Sequence, residues 1–330
     1  MNAERHEPQY CLQNSLPRSR QHGLLLLNKK SGVTSFDSLR EVKKAFNTQK
    51  AGHTGTLDKF ASGLLLVLVG RGVKLAPLFD QCTKEYSGVV RFGEETDTLD
   101  PEGAVVARGP VPSRDEVEAV LPLFRGDILQ APPEYSAIHI NGRRAHELVR
   151  EGKAPEMKKR PVTVYELEIS SWAPPEAVLR VRCSAGTYIR SLARDIALAA
   201  GSRASLSALT RTRVGEFRLE DASDADDRDE LVKSLRPLDR RLFEALQVPC
   251  FYLDPRAAEG FIHGRPLEGL LPEVSDLSGG KDTSDRGSGM EDRQAAGVFR
   301  ESSGGEPDEL VGVLERRNGR WSYGHVFADS

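Results

Sequence analysis

Six consecutive apolar residues, Leu64–Val69, stand between Gly63 and Gly70. The run is strand-sized and far too short to cross a membrane. With no polar residue to turn towards water, it reads as a buried central strand. The flanking sequence supplies partners for it. Leu24–Leu27 is a short apolar strand, and Ser35 reads as the N-cap of a helix with Phe36, Leu39, Val42 and Phe46 along one face. Val73–Phe79 reads as a short helix and Tyr86–Phe92 as a strand. Ser113 and Glu116 fit a capping box opening a helix through Leu121. Val162–Ile169 and Val178–Cys183 are rich in β-branched residues, as strands are. Ile189, Leu192, Ala193, Ile196 and Ala199 recur at helical spacing, with Gly201 as the stop. Strands and helices intermix over most of the chain, which predicts one α/β or α+β domain.

Beyond Leu246 the texture changes. Phe251–Leu271 and Leu310–Ala328 look globular, and the second carries Val311, Val313, Trp321, Tyr323, Val326 and Phe327 as core. Between them Ser275–Asp308 is rich in Gly, Ser, Asp and Glu and reads as a disordered insertion. The expected organisation is therefore a flexible tail over 1–22, a main domain over 23–248 and a small β-rich domain over 249–330, interrupted at 275–308.

Charge and cysteines narrow the class. The net charge is -3. It hides an asymmetry: residues 1–220 carry 32 Lys and Arg against 26 Asp and Glu, and the remainder carries 14 against 23. The first two thirds can meet phosphates if its cations share a face; otherwise this is an ordinary solvated surface. The polar start, Met1–Arg20, is no secretory signal. Cys11, Cys82, Cys183 and Cys250 are widely spaced, with no C-x-x-C pair. That argues against a zinc site or a disulfide framework and for a reducing cytoplasmic setting.

Three segments carry chemistry. Gly52-His53-Thr54-Gly55-Thr56-Leu57-Asp58 is a glycine-dense loop that delivers one carboxylate just before the buried strand. Such an Asp can be a nucleophile or general base, or simply cap a turn. Lys84-Glu85-Tyr86 puts a tyrosine at a strand start, either as a sheet aromatic or as a platform for a nucleobase. Cys183–Arg190 reads as strand, glycine turn and first helical turn. A cation at a helix N-terminus is disfavoured by the dipole, so Arg190 wants an anion, and a carboxylate facing it would be held charged. The acidic stretch Glu94–Asp100 lacks the Gly and Glu of a calcium loop, and Gly52–Leu57 lacks the G-K-[ST] ending of a phosphate loop.

In this order the segments resemble the TruB family of tRNA pseudouridine-55 synthases. The resemblance extends through Leu25–Ser35, Gly93–Gly103, Gln130-Ala131-Pro132-Pro133-Glu134-Tyr135-Ser136-Ala137, Asn141-Gly142-Arg143-Arg144 and Leu209–Gly215, covering roughly Gly23–Phe217. It implies an α+β pseudouridine synthase fold, a mixed and mainly antiparallel sheet flanked by helices with a small β-rich C-terminal domain. It implies Asp58 as the catalytic carboxylate, Arg190 as its partner and Tyr86 as the ring that stacks on the target uracil and assists proton transfer. It implies substrate-binding roles for His53, Tyr188, Leu209 and Lys29, and makes Asp97 the acidic residue near Arg190. The activity implied is isomerisation of a uridine in the T-arm of tRNA, flipped out of its stack, by a monomer needing no cofactor, metal, membrane or obligate protein partner. Lys59-Phe60, Asn28, Lys30, His139 and His146 depart from the family pattern without touching the three core groups. Two other readings share these residues: an RNA-folding factor, and a guide-RNA-dependent rRNA enzyme, which the acidic C-terminal third disfavours. On this reading, deleting 250–330 weakens tRNA binding modestly and leaves chemistry intact.

Overall fold

The computed structural model describes residues 22–327 apart from 137, 141, 146–147, 149–150, 153–155, 269, 271–293, 303–306 and 318. The tail over 1–21 and most of the 275–308 insertion lie outside the described residues.

The apolar run becomes β3 (Ser62–Val69), paired antiparallel on one side with β1 (Gly23–Lys29). On its other side it meets β12 (Ala204–Val214) in a two-pair parallel contact and β2 (Ala51–His53) in an antiparallel one. From β12 the sheet continues antiparallel through β4 (Lys84–Phe92), β11 (Glu176–Cys183), β10 (Arg160–Ala173) and the end strand β7 (Gly126–Gln130). The short strands β13 (Phe217–Arg218) and β14 (Ser223–Asp224) attach to β12 and β1. Two small hairpins stand off the sheet, β5 with β6 (Glu94–Thr96, Val105–Arg108) and β8 with β9 (His139–Ile140, Arg143–Arg144). The sheet is mixed and mainly antiparallel, as expected.

Helices pack on the sheet in two places. α1 (Ser35–Ala45) packs Leu39, Val42 and Phe46 against Leu25, Leu27, Leu65 and Val67. Further along the sheet α2 (Arg114–Val120), with the predicted Ser113–Glu116 capping box, and α3 (Ile189–Ala199) bury Val117, Leu192 and Ile196 against Tyr86, Leu179 and Leu206. Two boundaries differ from the sequence reading. Thr34, not Ser35, is the N-cap of α1, its hydroxyl accepting from Asp37 N at 3.0 Å; Phe36 is 70% exposed rather than core. The expected helix at Val73–Phe79 is a 3-10 helix, Gly70–Phe79, interrupted by Pro77.

After the short helices α4 (Arg228–Lys233) and α5 (Arg240–Ala245), the C-terminal part forms a second sheet. Its order is β15 (Cys250–Leu253), β16 (Gln294–Arg300), β17 (Glu309–Arg317) and β18 (Arg320–Val326), with α6 (Pro255–Ile262) against it. Strand β16 corrects the expectation of disorder across 275–308. Ala296, Val298 and Phe299 are fully buried there, and residues 294–300 interrupt the polar composition that suggests disorder, which resumes only over 301–308. A register shift opposite Val298 and Phe299 turns Leu310 and Val313 one way and Val311 and Leu314 the other. Leu310, Val313, Phe299 and Phe327 pack on Leu24, Leu26, Leu64, Leu66 and Leu68, so the second sheet covers the remaining face of β1 and β3.

Candidate active site

The glycine-dense loop starts as a strand stub. β2 pairs with β3, Thr54 N continues the ladder to Leu66 O at 3.0 Å, and Gly55 then takes φ +98, a left-handed position suited to glycine. The segment after it is held from the end of β1. Ser35 Oγ brackets Leu57, donating to its carbonyl and accepting from its N–H at 2.8 Å each. Ser31 Oγ donates to Phe60 O at 2.6 Å and Gly32 N to Lys59 O at 2.8 Å. Lys29, 1% exposed, donates from Nζ to the carbonyls of Ala61 and Val33 at 2.6 Å, Lys30 at 3.0 Å and Lys59 at 3.4 Å. Burial lowers its ammonium to about 8. Lys29 is thus a buried clamp on the chain around Asp58, sealed off from any ligand, which corrects its expected contact with substrate.

Asp58 and Arg190 meet across the cleft. Arg190 Nη2 donates to Asp58 Oδ1 at 3.2 Å, and Nε lies 2.9 Å from Oδ2, an ionic contact out of line for a hydrogen bond. The Asp58 side chain is 38% exposed and that of Arg190 only 5%, so the carboxylate fronts the opening and the guanidinium stands behind it. Burial pushes the Asp58 carboxyl above its ordinary value; the charge of Arg190 opposes this and that of Asp100 adds to it. Arg190 therefore offsets the desolvation of Asp58 rather than outweighing it.

The second acidic partner of Arg190 is Asp100, not Asp97. Nη1 reaches Asp100 Oδ2 at 3.1 Å and Thr98 O at 2.8 Å, while Nη2 also donates to Tyr135 O at 3.1 Å. Asp97 is exposed and accepts from Ala104 N at 2.9 Å, closing the turn between β5 and β6. Leu99, buried beside Asp100, holds φ +62, a costly position for a branched residue. Glu94 and Glu95 pair with Arg108 and Arg203 at 3.0 and 3.2 Å, so this acidic stretch is satisfied by arginines.

Tyr86 lies on β4 between Val181 and Arg211, 7% exposed, in one apolar cluster with Leu57, Ile189 and Leu209. Burial pushes its phenol up, opposed by the charge of Arg211 and a hydrogen bond with it. Arg211, 1% exposed, also donates to Leu64 O at 2.8 Å and Gly55 O at 3.2 Å, and among the described residues no carboxylate pairs with it. Leu209 is 6% exposed and faces Gly88 across the strands. Tyr188 is the N-cap residue of α3 and lines a cleft of about 230 Å³ with Gln130, Pro132, Arg160 and Gly186. His53 is half-buried on β2, with Nδ1 buried and lacking a partner among the described residues. Burial and then Arg211 lower its pKa, which favours the neutral ring.

Asp58 and Arg190 are thus in direct contact, Tyr86 and Leu209 share a buried apolar cluster with Leu57 and Ile189, and Tyr188 lies within reach of the charges of Arg190 and Asp58. Asp100, Arg211 and Gln130 belong to the same neighbourhood and escaped the sequence reading. Burial singles them out, and burial is the property that polar residue types conceal.

Comparison with known proteins points one way. Residues 43–189 match the family model described as TruB family pseudouridylate synthase (N terminal domain). The chain is 48% identical over 206 residues to tRNA pseudouridine synthase B of Borreliella burgdorferi (strain ZS7), covering 62% of this chain and 73% of that protein. It is 40% identical over 258 residues to tRNA pseudouridine synthase B of Francisella philomiragia, covering 77% and 80%. Among solved structures, that of a Cbf5-Nop10-Gar1 complex superposes with a TM-score of 0.63 at 24% identity, over 94% of this chain and 85% of the other, a likeness of fold.

Proposed function

The chain belongs to the TruB family of pseudouridylate synthases, and from that premise we propose that it converts one uridine of tRNA, at position 55 in the T-arm, to pseudouridine with Asp58 as its reacting carboxylate. The observation that carries the reading is the pair itself: one carboxylate at a cleft mouth, backed by a guanidinium that is almost wholly buried. A uridine inside folded tRNA must leave its stack to reach such a group. The apolar wall of Leu57, Ile189 and Leu209, with the Tyr86 ring, then replaces lost base stacking.

The glycosidic bond has to break at N1 and re-form at C5 with the base turned over. Asp58 serves by attacking the base or sugar, or by removing a sugar proton, and each route needs the ionised form. Arg190 supports it by countering desolvation. Tyr86 has a phenol kept protonated by burial, so its ring meets the base uncharged; its part in proton transfer is inferred from the family alone. His53, with an unpartnered ring nitrogen among the described residues, and Tyr188, on its own cleft, are the candidates for contact with neighbouring nucleotides. The enzyme is read as a cytoplasmic monomer; among the described residues no helix is long and apolar enough to cross a membrane.

The test is tritium release from an unmodified tRNA transcript labelled at uridine C5, with wild type and Asp58→Asn side by side. Release is expected from wild type only, and is expected to vanish when the T-arm uridine is replaced. Tight binding without release by wild type would overturn the catalytic reading in favour of an RNA-folding factor.

A further inference from the structure

The first turn of α3 is poorly held by its own sequence. Its N-cap residue, Tyr188, makes no side-chain capping bond, and Arg190 puts a cation where the helix dipole disfavours one. Arg190 must nevertheless hold its guanidinium to within tenths of an ångström for Asp58. The missing restraint comes from the end of β7. Gln130, 2% exposed, accepts from Tyr188 N through Oε1 at 2.8 Å and donates through Nε2 to Tyr188 O at 3.1 Å. One carboxamide thus grips one residue's backbone at both ends, as an adjacent strand would. Tyr188 O takes the first helical bond, from Leu192 N at 3.0 Å, so Gln130 uses its second lone pair. Five residues further on, past the buried Pro132 and Pro133, Tyr135 O accepts from Arg190 Nη2. The segment leaving β7 therefore touches both the backbone that launches Arg190 and the guanidinium itself.

We propose that Gln130 is a positioning residue for the reaction: its carboxamide sets the first turn of α3 and through it the Arg190–Asp58 pair. The role rests on the function proposed above, while the Gln130–Tyr188 contact does not. A Gln that merely satisfied itself in the core would be replaceable by Met, of similar length and without polar atoms.

Three readouts on the full-length protein decide it, using Gln130→Met and Gln130→Glu. In single-turnover conversion of tRNA near neutral pH both variants fall by roughly 10- to 100-fold, the range a small misplacement of catalytic groups costs, with tRNA affinity within about 2-fold of wild type. The pH profiles then separate them. A protonated Glu reproduces the carboxamide's one donor and one acceptor, whereas its ionised form sets a carboxylate against the Tyr188 carbonyl. The ordinary Glu value is about 4.3, and burial raises it. Relative to wild type, Gln130→Glu recovers as pH falls from about 8 to about 5.5, and Gln130→Met does not. Independently of substrate, hydrogen exchange at the Tyr188 amide speeds up in Gln130→Met.

Wild-type rates in both folded variants, a loss confined to tRNA affinity, parallel pH profiles, or unchanged exchange at Tyr188 would each overturn the proposal. If wild type itself fails to convert tRNA, the functional reading falls, and the exchange experiment still judges the clamp.

Discussion

At Arg190 two carboxylates meet one guanidinium, and the second of them, Asp100, is the buried one, with 7% of its side chain exposed against 38% for Asp58. Its Oδ1 accepts from the Thr98 hydroxyl at 2.6 Å and from Glu102 N at 3.0 Å, leaving Oδ2 for Arg190. An Asn at this position cannot satisfy all three. With its oxygen kept towards Thr98 and Glu102, its NH2 faces the N–H groups of Arg190. Asp100→Asn is therefore expected to lower stability by roughly 3 kcal/mol, the scale for breaking a buried ion pair. Conversion rate should fall more than tRNA affinity; denaturant melts and single-turnover assays check both, and an unchanged rate in a folded variant would show that Arg190 needs only Asp58. Sequence could not choose Asp100 over Asp97, Glu94 or Glu95, because all four are carboxylates in one short loop. Asp58 stood out only through the resemblance to the TruB family, since by its own loop it could equally have capped a turn. Lys29 entered only through the resemblance, and the four carbonyls that surround its ammonium come from two separate stretches of chain that no local pattern joins.

Elements set by apolar periodicity were legible, and among those that were not, β12 is the one that defeats periodicity most directly. The sequence pattern suggests β1, β3, β4, β10, β11 and α3, whose faces are cleanly apolar. It gives no sign that Leu209–Val214 belongs to the strand β12, because Arg211 and Arg213 interrupt the alternation. Yet Arg211 is among the largest fully buried side chains, made tolerable by carbonyl acceptors and the Tyr86 hydroxyl. Where β12 meets β3, the junction depends on Gly63. Its φ is +101, and a Cβ there would lie 2.4 Å from Arg211 O and 2.9 Å from Arg211 N. Both neighbours are backbone in mid-sheet and cannot yield. Gly63→Ala should cost about 1–3 kcal/mol from the backbone conformation alone, with the steric overlap in addition. It should also slow conversion, since Asp58 precedes Gly63 by five residues on the same tethered segment. A variant that melts with wild type and turns over normally would mean that the two halves of the sheet tolerate separation at this seam.

For the whole molecule, the decisive contact is the one between the two sheets. Sequence marks the C-terminal part as a small β-rich unit by its change of texture, and from that unit alone its removal looks harmless to chemistry. Side-chain packing says otherwise, and no local pattern could have announced it. Phe299, Leu310, Val313 and Phe327 bury the face of β1 and β3 formed by Leu24, Leu26, Leu64, Leu66 and Leu68. Strand β1 carries the clamp on the Asp58 segment at its end, through Lys29 and, just beyond it, Ser31. Fully burying a large apolar side chain contributes about 1.5–3 kcal/mol. Four such side chains amount to several kcal/mol, comparable with the roughly 5–15 kcal/mol that holds an ordinary domain together. A chain ending at residue 248 is thus expected to melt well below the full-length protein, to bind a hydrophobic dye and to lose conversion together with its fold. The single change Phe299→Ala in the full chain should reproduce part of this, about 3–5 kcal/mol, because Phe299 also meets Phe243 edge-on at 5.3 Å. If the shortened chain instead melts like the parent, excludes the dye and still converts tRNA, the second sheet is an independent RNA-contacting module. In that event the apolar face of β1 and β3 must find other cover.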